Sequence, residues 1–168
     1  VRVAAPGLTE SMGTRPRTLL GTRGIPMFVR DILADKGTDV TTVGPDMIIR
    51  DFAAVLVDKR IGAVVVIGGD GRVAGVISER DVIHGIAGHG AGCLDLKVGA
   101  LMSTDVISCG PDTTINEVMN RMTERRIRHL PVMDGDALVG VVSIGDVVKR
   151  RIAEAERENS QLREYITA

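Results

Sequence analysis

Aromatic side chains are nearly absent from this 168-residue sequence, which contains only Phe28, Phe52 and Tyr165 and no tryptophan. Proteins that bind single-stranded nucleic acid without sequence preference stack bases on aromatic rings, so this composition excludes such a platform. Neither sign of charge is in large excess, because the sequence contains 21 Lys and Arg residues and 22 Asp and Glu residues. A net charge of −1 therefore argues against polyanionic partners, whether nucleic acid or an anionic membrane surface.

Long hydrophobic runs and cysteine pairs are scarce as well. The longest apolar runs are about five residues, whereas a membrane-spanning helix needs about 20. Cys93 and Cys109 are the only cysteines, and they form neither a disulfide framework nor a metal-ligand spacing. We therefore expect a reducing, cytoplasmic location and no metal. The sequence is 44% hydrophobic and contains 20 glycines, which is typical of a soluble domain with an aliphatic core.

Residues 1–26 differ in composition from the rest of the chain. They contain four arginines, a single glutamate and no hydrophobic period. We predict that this segment is an unstructured N-terminal extension, outside the fold. The patterned sequence begins at Met27, and our hypothesis is that Met27 is the natural start of the protein.

The remaining sequence contains a tandem duplication. The segment 38–46 recurs 66 positions later as 104–112, with Thr-Asp-Val and Gly-Pro-Asp in both copies. After a shortened turn the offset becomes 65, so that Ser78 corresponds to Ser143. Matches in this order over about 50 residues indicate two copies of one structural unit.

Each copy predicts the element order β-α-β-β-α. Apolar residues at helix spacing follow the Gly-Pro-Asp turn, and two Val- and Ile-rich runs joined through Asp-Gly indicate a β-hairpin. A copy of roughly 60 residues buries its apolar face poorly alone, so we expect the two copies to pack sheet to sheet about a pseudo-two-fold axis. The predicted fold is α/β (α+β), with repeat 1 at 27–92, repeat 2 at 93–150 and a C-terminal helix at 151–168.

The end of each hairpin carries a family signature. Residues 75–81 and 140–146 both contain Gly, two apolar residues, Ser, two variable residues and Asp, and residues 126–132 lead into a strand of repeat 2. Over about 29–150 the duplication resembles a tandem pair of CBS domains, the Bateman module, as a stand-alone protein. The resemblance implies a regulatory module that binds adenine nucleotides and is not an enzyme.

The Ser-x-x-Asp motif has two interpretations. Serine is a favoured helix N-cap, and an acid three residues later closes a capping box, so helix capping alone explains the pattern. Capping boxes prefer Glu or Gln, however, and we expect Asp to be short for that reach. A helix N-terminus also attracts anions, and a carboxylate can accept hydrogen bonds from ribose hydroxyls. We therefore expect nucleotide binding together with capping.

The resemblance implies two ligand clefts, each built from both repeats. The first is expected to contain Ala63, Val64, Ser78, Arg80, Asp81, Val106, Ile107 and Ser108. The second is expected to contain Lys36, Val40, Thr41, Thr42, Arg128, His129, Leu130, Pro131, Ser143, Gly145 and Asp146. Arg128 is assigned to phosphate contact, and for His129 structural packing and ligand contact remain equally open. We interpret Arg125 and Arg126 as helix-end residues that favour the helix dipole.

We expect an adenine nucleotide as ligand, with AMP as the first candidate and ADP, ATP or NAD as alternatives, and no requirement for a metal. Arg128 and His129 occupy the positions that Gly62 and Ala63 hold in repeat 1. We therefore predict that the second cleft binds AMP more tightly than the first, through charge-assisted hydrogen bonds. The alternative is a dimerisation scaffold whose clefts stay empty and whose Ser-x-x-Asp motifs only cap helices.

The helix faces also predict assembly. Apolar residues on the first helix of each repeat exceed what one core contact needs, namely Phe52, Leu56, Val118 and Met122. We expect a homodimer in which these residues meet the second copy and the helix at 147–166 adds contacts. A sensor of this kind also implies a regulated protein, which the sequence does not identify.

Overall fold

The computed structural model describes residues 26–167. Within the last helix, the side chains of six residues are outside this description: Glu158, Gln161, Leu162, Glu164, Tyr165 and Thr167. The predicted N-terminal extension at 1–26 lies outside the described residues, apart from Pro26.

The two repeats are preceded by a helix, α1 (Val29–Lys36). Repeat 1 then contains β1 (Thr42–Val43), α2 (Ile49–Lys59), β2 (Ala63–Ile67), β3 (Val73–Ser78) and α3 (Glu79–His89). A 3₁₀ segment (Gly90–Asp95) and α4 (Val98–Leu101) lead into repeat 2, which contains α5 (Ile115–Arg125), β4 (His129–Asp134), β5 (Ala137–Ser143) and α6 (Ile144–Thr167). The predicted mixed α/β fold of two repeats and a C-terminal helix is confirmed.

The two sheets follow one plan with one difference. β1 lies parallel to β2, and β2 pairs antiparallel with β3. In repeat 2, β4 pairs antiparallel with β5, but the counterpart of β1 is a single parallel bridge between Cys109 and Val132. This bridge is equivalent to the pairing of Val43 with Val66, so the first strand of repeat 2 is reduced to one residue.

The cores of the two repeats exchange their leading helices. α1 packs into the core of repeat 2, where Val29 and Leu33 are buried among residues of α5, β4 and β5. The 3₁₀ segment and α4 pack into the core of repeat 1 through Cys93 and Val98. A backbone hydrogen bond of 2.8 Å from Val98 to Met47 fixes α4 there. The predicted boundary at 92/93 therefore separates the sequence repeats, whereas each packed unit takes its leading helix from the other side of that boundary.

The four residues predicted to meet a second copy are largely buried in their own repeats. Phe52 and Val118 are fully buried, Met122 is 3% exposed, and Leu56 packs against the core of repeat 1. Phe52, Val118 and Met122 are used within the chain, so the prediction that they meet a second copy is wrong, whereas Leu56 is half-buried. The exposed large apolar side chains of the described part are Val57 on α2, Ile83 and Ile86 on α3, and Val148, Ile152 and Ile166 on α6.

α6 runs continuously for 24 residues from the end of β5. It begins within repeat 2, earlier than the predicted C-terminal helix, and continues through the residues assigned to that helix as far as the structure describes them. Among the described helices, none combines the length and the apolarity that a membrane span requires.

Candidate functional site

Two serine–aspartate pairs lie at corresponding helix N-termini. Ser78 precedes α3, and its backbone N–H and hydroxyl donate to Asp81 Oδ2 at 2.7 and 2.6 Å. Ser143 precedes α6, and its backbone N–H and hydroxyl donate to Asp146 Oδ2 at 2.8 and 2.9 Å. Each aspartate does reach its N-cap residue, so the expectation that Asp is too short is wrong. Both motifs cap their helices.

Capping leaves part of each carboxylate available. The hydrogen bonds above all end on Oδ2, and among the described residues no donor is bound to Oδ1 of Asp81 or Asp146. A carboxylate oxygen accepts readily from hydroxyl groups, and the first N–H groups of a helix attract anions. The geometry therefore permits capping and ligand binding at the same motif.

A cleft of about 290 Å³ opens between the repeats at the N-terminus of α3. It contains six of the eight residues expected in the first site: Ala63, Ser78, Arg80, Asp81, Val106 and Ile107. The other two are directed elsewhere. Val64 is 2% exposed in the core of repeat 1, and the carbonyl of Ser108 accepts a hydrogen bond from Arg121 at 2.7 Å.

The first cleft also contains residues that the sequence reasoning did not assign to it. They are Gly62, Val76, Ser103, Asp105, Arg125, Arg126 and Ile127. Arg126 follows the last residue of α5, and its φ of 54° is a left-handed conformation that turns the chain towards the cleft. Three arginines within residues 125–128 were a signal for an anion site, but helix-end residues have the same composition.

Arg128 and His129 line this first cleft, although the resemblance assigned them to the second. The carbonyl of Arg128 accepts from the backbone N–H of Ile144 at 2.9 Å, beside the second site. Its guanidinium lies 3.1 Å from Glu79 Oε1, at the start of α3. The backbone of Arg128 thus lies near Ser143 while its side chain extends to the other repeat. This geometry does not support a contact between Arg128 and a phosphate held at the second site.

Positive charge is concentrated around the first cleft. Four arginines line it: Arg80, Arg125, Arg126 and Arg128. Arg80 crosses from repeat 1 to repeat 2 and donates to the carbonyl of Arg126 at 2.8 Å. The lining contains two carboxylates, Asp81 and Asp105, so the cationic groups outnumber the anionic ones. Guanidinium groups bind phosphate through paired hydrogen bonds, and the cleft is suited to an anion.

His129 lies between the two sites. It lines the first cleft and pairs with Ser143 in the ladder of β4 and β5. Burial, followed by the nearby Arg128, lowers the pKa of His129, while Glu79 and Asp146 act in the opposite direction. The imidazole is therefore neutral at pH 7 and lies within the electrostatic influence of carboxylates from both sites.

The second Ser–Asp pair carries a lysine from α1. Lys36 Nζ lies 2.8 Å from Asp146 Oδ2, across 110 positions of sequence. Burial by itself raises the pKa of Asp146, but the hydrogen bonds from Lys36 and Ser143 outweigh it and hold this pKa below its usual value. The second site thus combines Ser143, Asp146 and Lys36 as expected, with its carboxylate already paired.

The other residues expected in the second site are located by their positions in the strands and by their burial. Thr42 begins β1, Val40 and Thr41 are half-buried in front of it, and Gly145 is exposed. These positions in repeat 1 correspond to Val106 and Ile107 of the first cleft, so the pseudo-symmetry puts them on the second site's side of the sheet. Leu130 and Pro131 are buried within β4, and the side chain of Leu130 belongs to the core of repeat 2.

The described residues provide neither a metal site nor a disulfide. No group of three His, Cys, Asp or Glu residues there could hold a metal ion. Cys93 and Cys109 are both buried and unpaired with each other. Burial raises the pKa of the Cys109 thiol to about 11, although Arg121 opposes it, so this thiol stays protonated.

Comparison with known proteins gives consistent matches. A CBS domain-containing protein of Arabidopsis thaliana, described as mitochondrial, is 35% identical over 169 residues, which cover 94% of this chain and 81% of that protein. The crystal structure of a CBS-domain-containing protein from Agrobacterium tumefaciens has a TM-score of 0.74 and 45% identity, covering 79% of this chain and 98% of the other.

A third match carries ligands. It is a CBS domain pair whose crystal structure contains 5-methylthioadenosine and S-adenosyl-L-methionine, with a TM-score of 0.69 and 21% identity. The similarity covers 77% of this chain and 99% of the other, and at this identity it establishes the shared fold.

The CBS domain family matches this chain twice, at residues 29–88 and 98–153. The two matches coincide with the duplication, and each contains one of the capped Ser–Asp motifs. With the structural similarity to stand-alone CBS-pair proteins, they establish that the chain belongs to the CBS-domain family and contains a tandem CBS pair.

Proposed function

We propose that this protein is a regulatory sensor that binds a phosphate-bearing adenosine ligand in the first cleft. The observation that carries the proposal is the cleft itself, where the capped Asp81 and a set of arginines from both repeats surround one cavity. Its volume of about 290 Å³ lies at the small end of the roughly 300–1,000 Å³ found for small-molecule sites. A mononucleotide such as AMP therefore suits it better than a dinucleotide such as NAD.

Each part of the ligand has a partner in the cleft. The free Oδ1 of Asp81 accepts hydrogen bonds from the ribose hydroxyls, as a carboxylate does in other nucleotide sites. Val76, Val106 and Ile107 provide aliphatic surface for the adenine ring. The N-terminus of α3 and the guanidinium groups attract the phosphate. Arg128 has to exchange its contact with Glu79 for one with the ligand, which costs little because both side chains are more than half exposed.

This assignment reverses the affinity order expected from the sequence. The sequence reasoning favoured the second cleft because Arg128 and His129 belong to repeat 2. The side chain of Arg128 extends to the first cleft, and Lys36 neutralises Asp146 in the second. We therefore propose that AMP, or ADP or ATP in its place, binds more tightly at Ser78 and Asp81.

The proposed role is regulatory, without catalysis. The charged groups of the first cleft are engaged in caps and cross-repeat contacts that link the two repeats. A ligand that replaces these contacts changes how the repeats are held together, which a regulated protein can read. We further propose that the protein works as a homodimer, although not through the residues of α2 and α5 considered above.

The matched pair of aspartates tests the ligand site. In Asp81→Ala the affinity for AMP, measured by isothermal titration calorimetry, should fall by about 1.5–3 kcal/mol, the range for hydrogen bonds to a charged group. Asp146→Ala serves as the control because it removes an equivalent helix cap, so both variants should lose similar stability, about 1 kcal/mol. Its affinity for AMP at the first cleft should stay unchanged.

Two results would favour other functions. If AMP, ADP, ATP and S-adenosylmethionine all fail to bind the folded wild-type protein, the Ser-x-x-Asp motifs only cap helices, and a dimerisation scaffold becomes the better description. If Asp146→Ala, and not Asp81→Ala, abolishes binding, the ligand occupies the second cleft and the proposed order of the two sites is wrong.

A further inference from the structure

α6 continues well past the core of its own repeat. Val147 is fully buried in that core, whereas between residues 155 and 166 each side chain that the structure describes is exposed. Most helical stability in proteins comes from packing an apolar face against other elements. The described side chains of the distal part of α6 have no such packing within the described part of the chain.

The sequence of α6 contains a heptad pattern. With Ile152 at position a, the a and d positions between 148 and 166 alternate in steps of four and three residues. They are occupied by Val148, Ile152, Ala155, Asn159, Leu162 and Ile166. Val148, Ile152 and Ile166 are 46%, 55% and 81% exposed, and Ala155 and Asn159 are exposed too. Successive residues are about 100° apart on a helix, so this stripe is separate from the face of Val147.

We propose that α6 pairs with α6 of a second copy as a parallel two-stranded coiled coil over residues 148–166. The proposal specifies the interface of the homodimer named above, and it does not depend on whether the clefts bind a ligand. It assigns a partner, a second copy of this chain, to an apolar stripe that the described part of the chain leaves exposed.

The residue types at the a and d positions indicate two strands in parallel. β-branched residues at a and Leu at d favour parallel dimers, and here Ile152 and Ile166 hold a positions while Leu162 holds a d position. Asn159 holds the a position between them. A buried Asn at a single a position fixes the register and the number of strands at some cost in stability, because two such residues hydrogen-bond only when they face each other.

The charges beside the stripe agree with the same arrangement. In a parallel pair, position g of one heptad faces position e of the next heptad on the partner, which places Arg151 opposite Glu156 of the partner subunit. The e positions are Lys149, Glu156 and Arg163. An antiparallel pair centred on Glu156 would instead place glutamate against glutamate and Lys149 against Arg163. Like charges in these positions are unfavourable, so the pattern selects the parallel orientation.

A single engineered cysteine tests orientation and register. The native cysteines are 0% and 4% exposed, so a new surface cysteine is the reactive one. Ile166→Cys should form an intermolecular disulfide under mild oxidation, because equivalent a positions of a parallel in-register pair lie within disulfide reach. Arg157→Cys, on the outer f position, is the matched control and should stay reduced. If Ile166→Cys links no faster than Arg157→Cys, the parallel coiled coil is ruled out.

Asn159 provides a test in which the interface becomes stronger. Asn159→Ile should tighten dimerisation by about tenfold or more, because it replaces a buried amide with apolar contact, and it should add higher oligomers. Ser160→Ile, on an outer position, adds the same side chain and should leave the dissociation constant unchanged. Ile152→Lys should weaken the dimer by at least about a hundredfold, since both copies lose a buried apolar side chain and gain a charge.

Light scattering over a concentration series gives the molar mass of the wild type and of all three variants, which is compared with the chain mass of 17.9 kDa. A wild-type dimer that dissociates in Ile152→Lys supports the proposal. A wild-type dimer whose mass is unaffected by Ile152→Lys and by Asn159→Ile shows that the homodimer uses another face, so the coiled coil fails while the homodimer stands. A wild-type monomer overturns both, and it would leave the stripe to residues 1–25 or to a different protein.

Discussion

The two Ser–Asp sites share one backbone frame and differ in their side chains. In repeat 1 the carbonyl of Gly62 accepts from Glu79 N at 3.0 Å, and in repeat 2 the carbonyl of Arg128 accepts from Ile144 N at 2.9 Å. Both frames end in a serine whose N–H and hydroxyl are bound by an aspartate. The backbone of each repeat thus builds the same helix N-terminus beside the same strand.

Charged side chains are distributed unequally between the two sites. Arg80 and Arg128 come from different repeats, and both side chains lie at the first cleft. Lys36 lies at the second Ser–Asp site, where it is bound to Asp146. A duplicated fold therefore retains the position of a site. A few side chains that cross between the repeats determine which of the two sites is suited to an anion.

The largest expected difference concerns two matched glycines, Gly75 and Gly140. A Cβ on Gly75 would lie 2.7 Å from the backbone oxygen of Ser103, whereas a Cβ on Gly140 would lie 2.6 Å from the tip of the Leu33 side chain. The Ser103 oxygen is fixed, because it accepts from Val76 N at 3.0 Å. A side-chain tip can rotate, but a bonded carbonyl cannot move without breaking its bridge.

We therefore expect Gly75→Ala to destabilise the fold by about 3 kcal/mol and Gly140→Ala by about 1 kcal/mol, within the range for overpacked cores. Urea denaturation of both variants measures the difference. Val76 and Ser103 line the first cleft, so Gly75→Ala should also weaken AMP binding in the folded fraction. Equal losses of stability in the two variants would show that the Ser103 bridge yields as easily as a side chain.

Local patterns in the sequence were sufficient for the repeat, the hairpins and the helix starts. Each of these features depends on residues that are close in sequence, such as Ser78 with Asp81. The contact of Lys36 with Asp146 spans 110 positions, and it was expected only through the family resemblance. Spacing within one repeat carries no information about which residues of the other repeat lie nearby.

The errors of prediction have physical causes as well. Arg128 was assigned to the second site by the family resemblance, but its long side chain extends to Glu79 of repeat 1, where the guanidinium lies 3.1 Å from Oε1. Phe52 and Val118 were assigned to an interface because an apolar stripe on a helix looks the same in the sequence whether it packs in the core or against a second copy. The exchange of α1 and α4 was missed because these helices are too dissimilar in sequence to appear in the repeat.

A smaller effect is expected from releasing Asp146 in the second cleft. Lys36→Met keeps the length of the side chain and removes the charge that occupies Asp146 Oδ2. An ion pair this exposed contributes at most about 1 kcal/mol, so the second cleft should gain up to about fivefold in affinity for uncharged adenosine. The measurement is a calorimetric titration in the Asp81→Ala background, where the first cleft is disabled.

The exposed ion pair of Lys97 with Asp46, at 2.6 Å, offers a control for the loss of a lysine. Lys97→Met should leave adenosine binding unchanged because Lys97 contacts Asp46 and not Asp146, and neither Lys97 nor Asp46 lines the first cleft. A loss of adenosine affinity in Lys36→Met would mean that Lys36 contacts the ligand, as the family resemblance first suggested. In that case the lysine would be part of the second site and not an obstacle to it.

The smallest expected effect is a pH dependence of stability at His129, whose counterpart in repeat 1 is Ala63. Burial, followed by Arg128, lowers the pKa of His129 below its ordinary value of 6.5. The unfolded chain therefore binds a proton at this residue at higher pH than the folded chain does. Stability from the neutral ring is fully present above the unfolded pKa and is lost as the pH falls through the unfolded pKa towards the folded one.

Wild-type protein should accordingly lose unfolding free energy through this residue as the pH falls below the ordinary imidazole pKa of 6.5. His129→Gln retains a polar side chain that does not titrate, and His129→Ala restores the residue of repeat 1. In both variants this part of the pH dependence should disappear, whatever constant stability change the substitution brings. Urea denaturation at several pH values measures the slope. Should the variants keep the wild-type slope, other groups carry the acid sensitivity, and the two repeats would not differ in this respect.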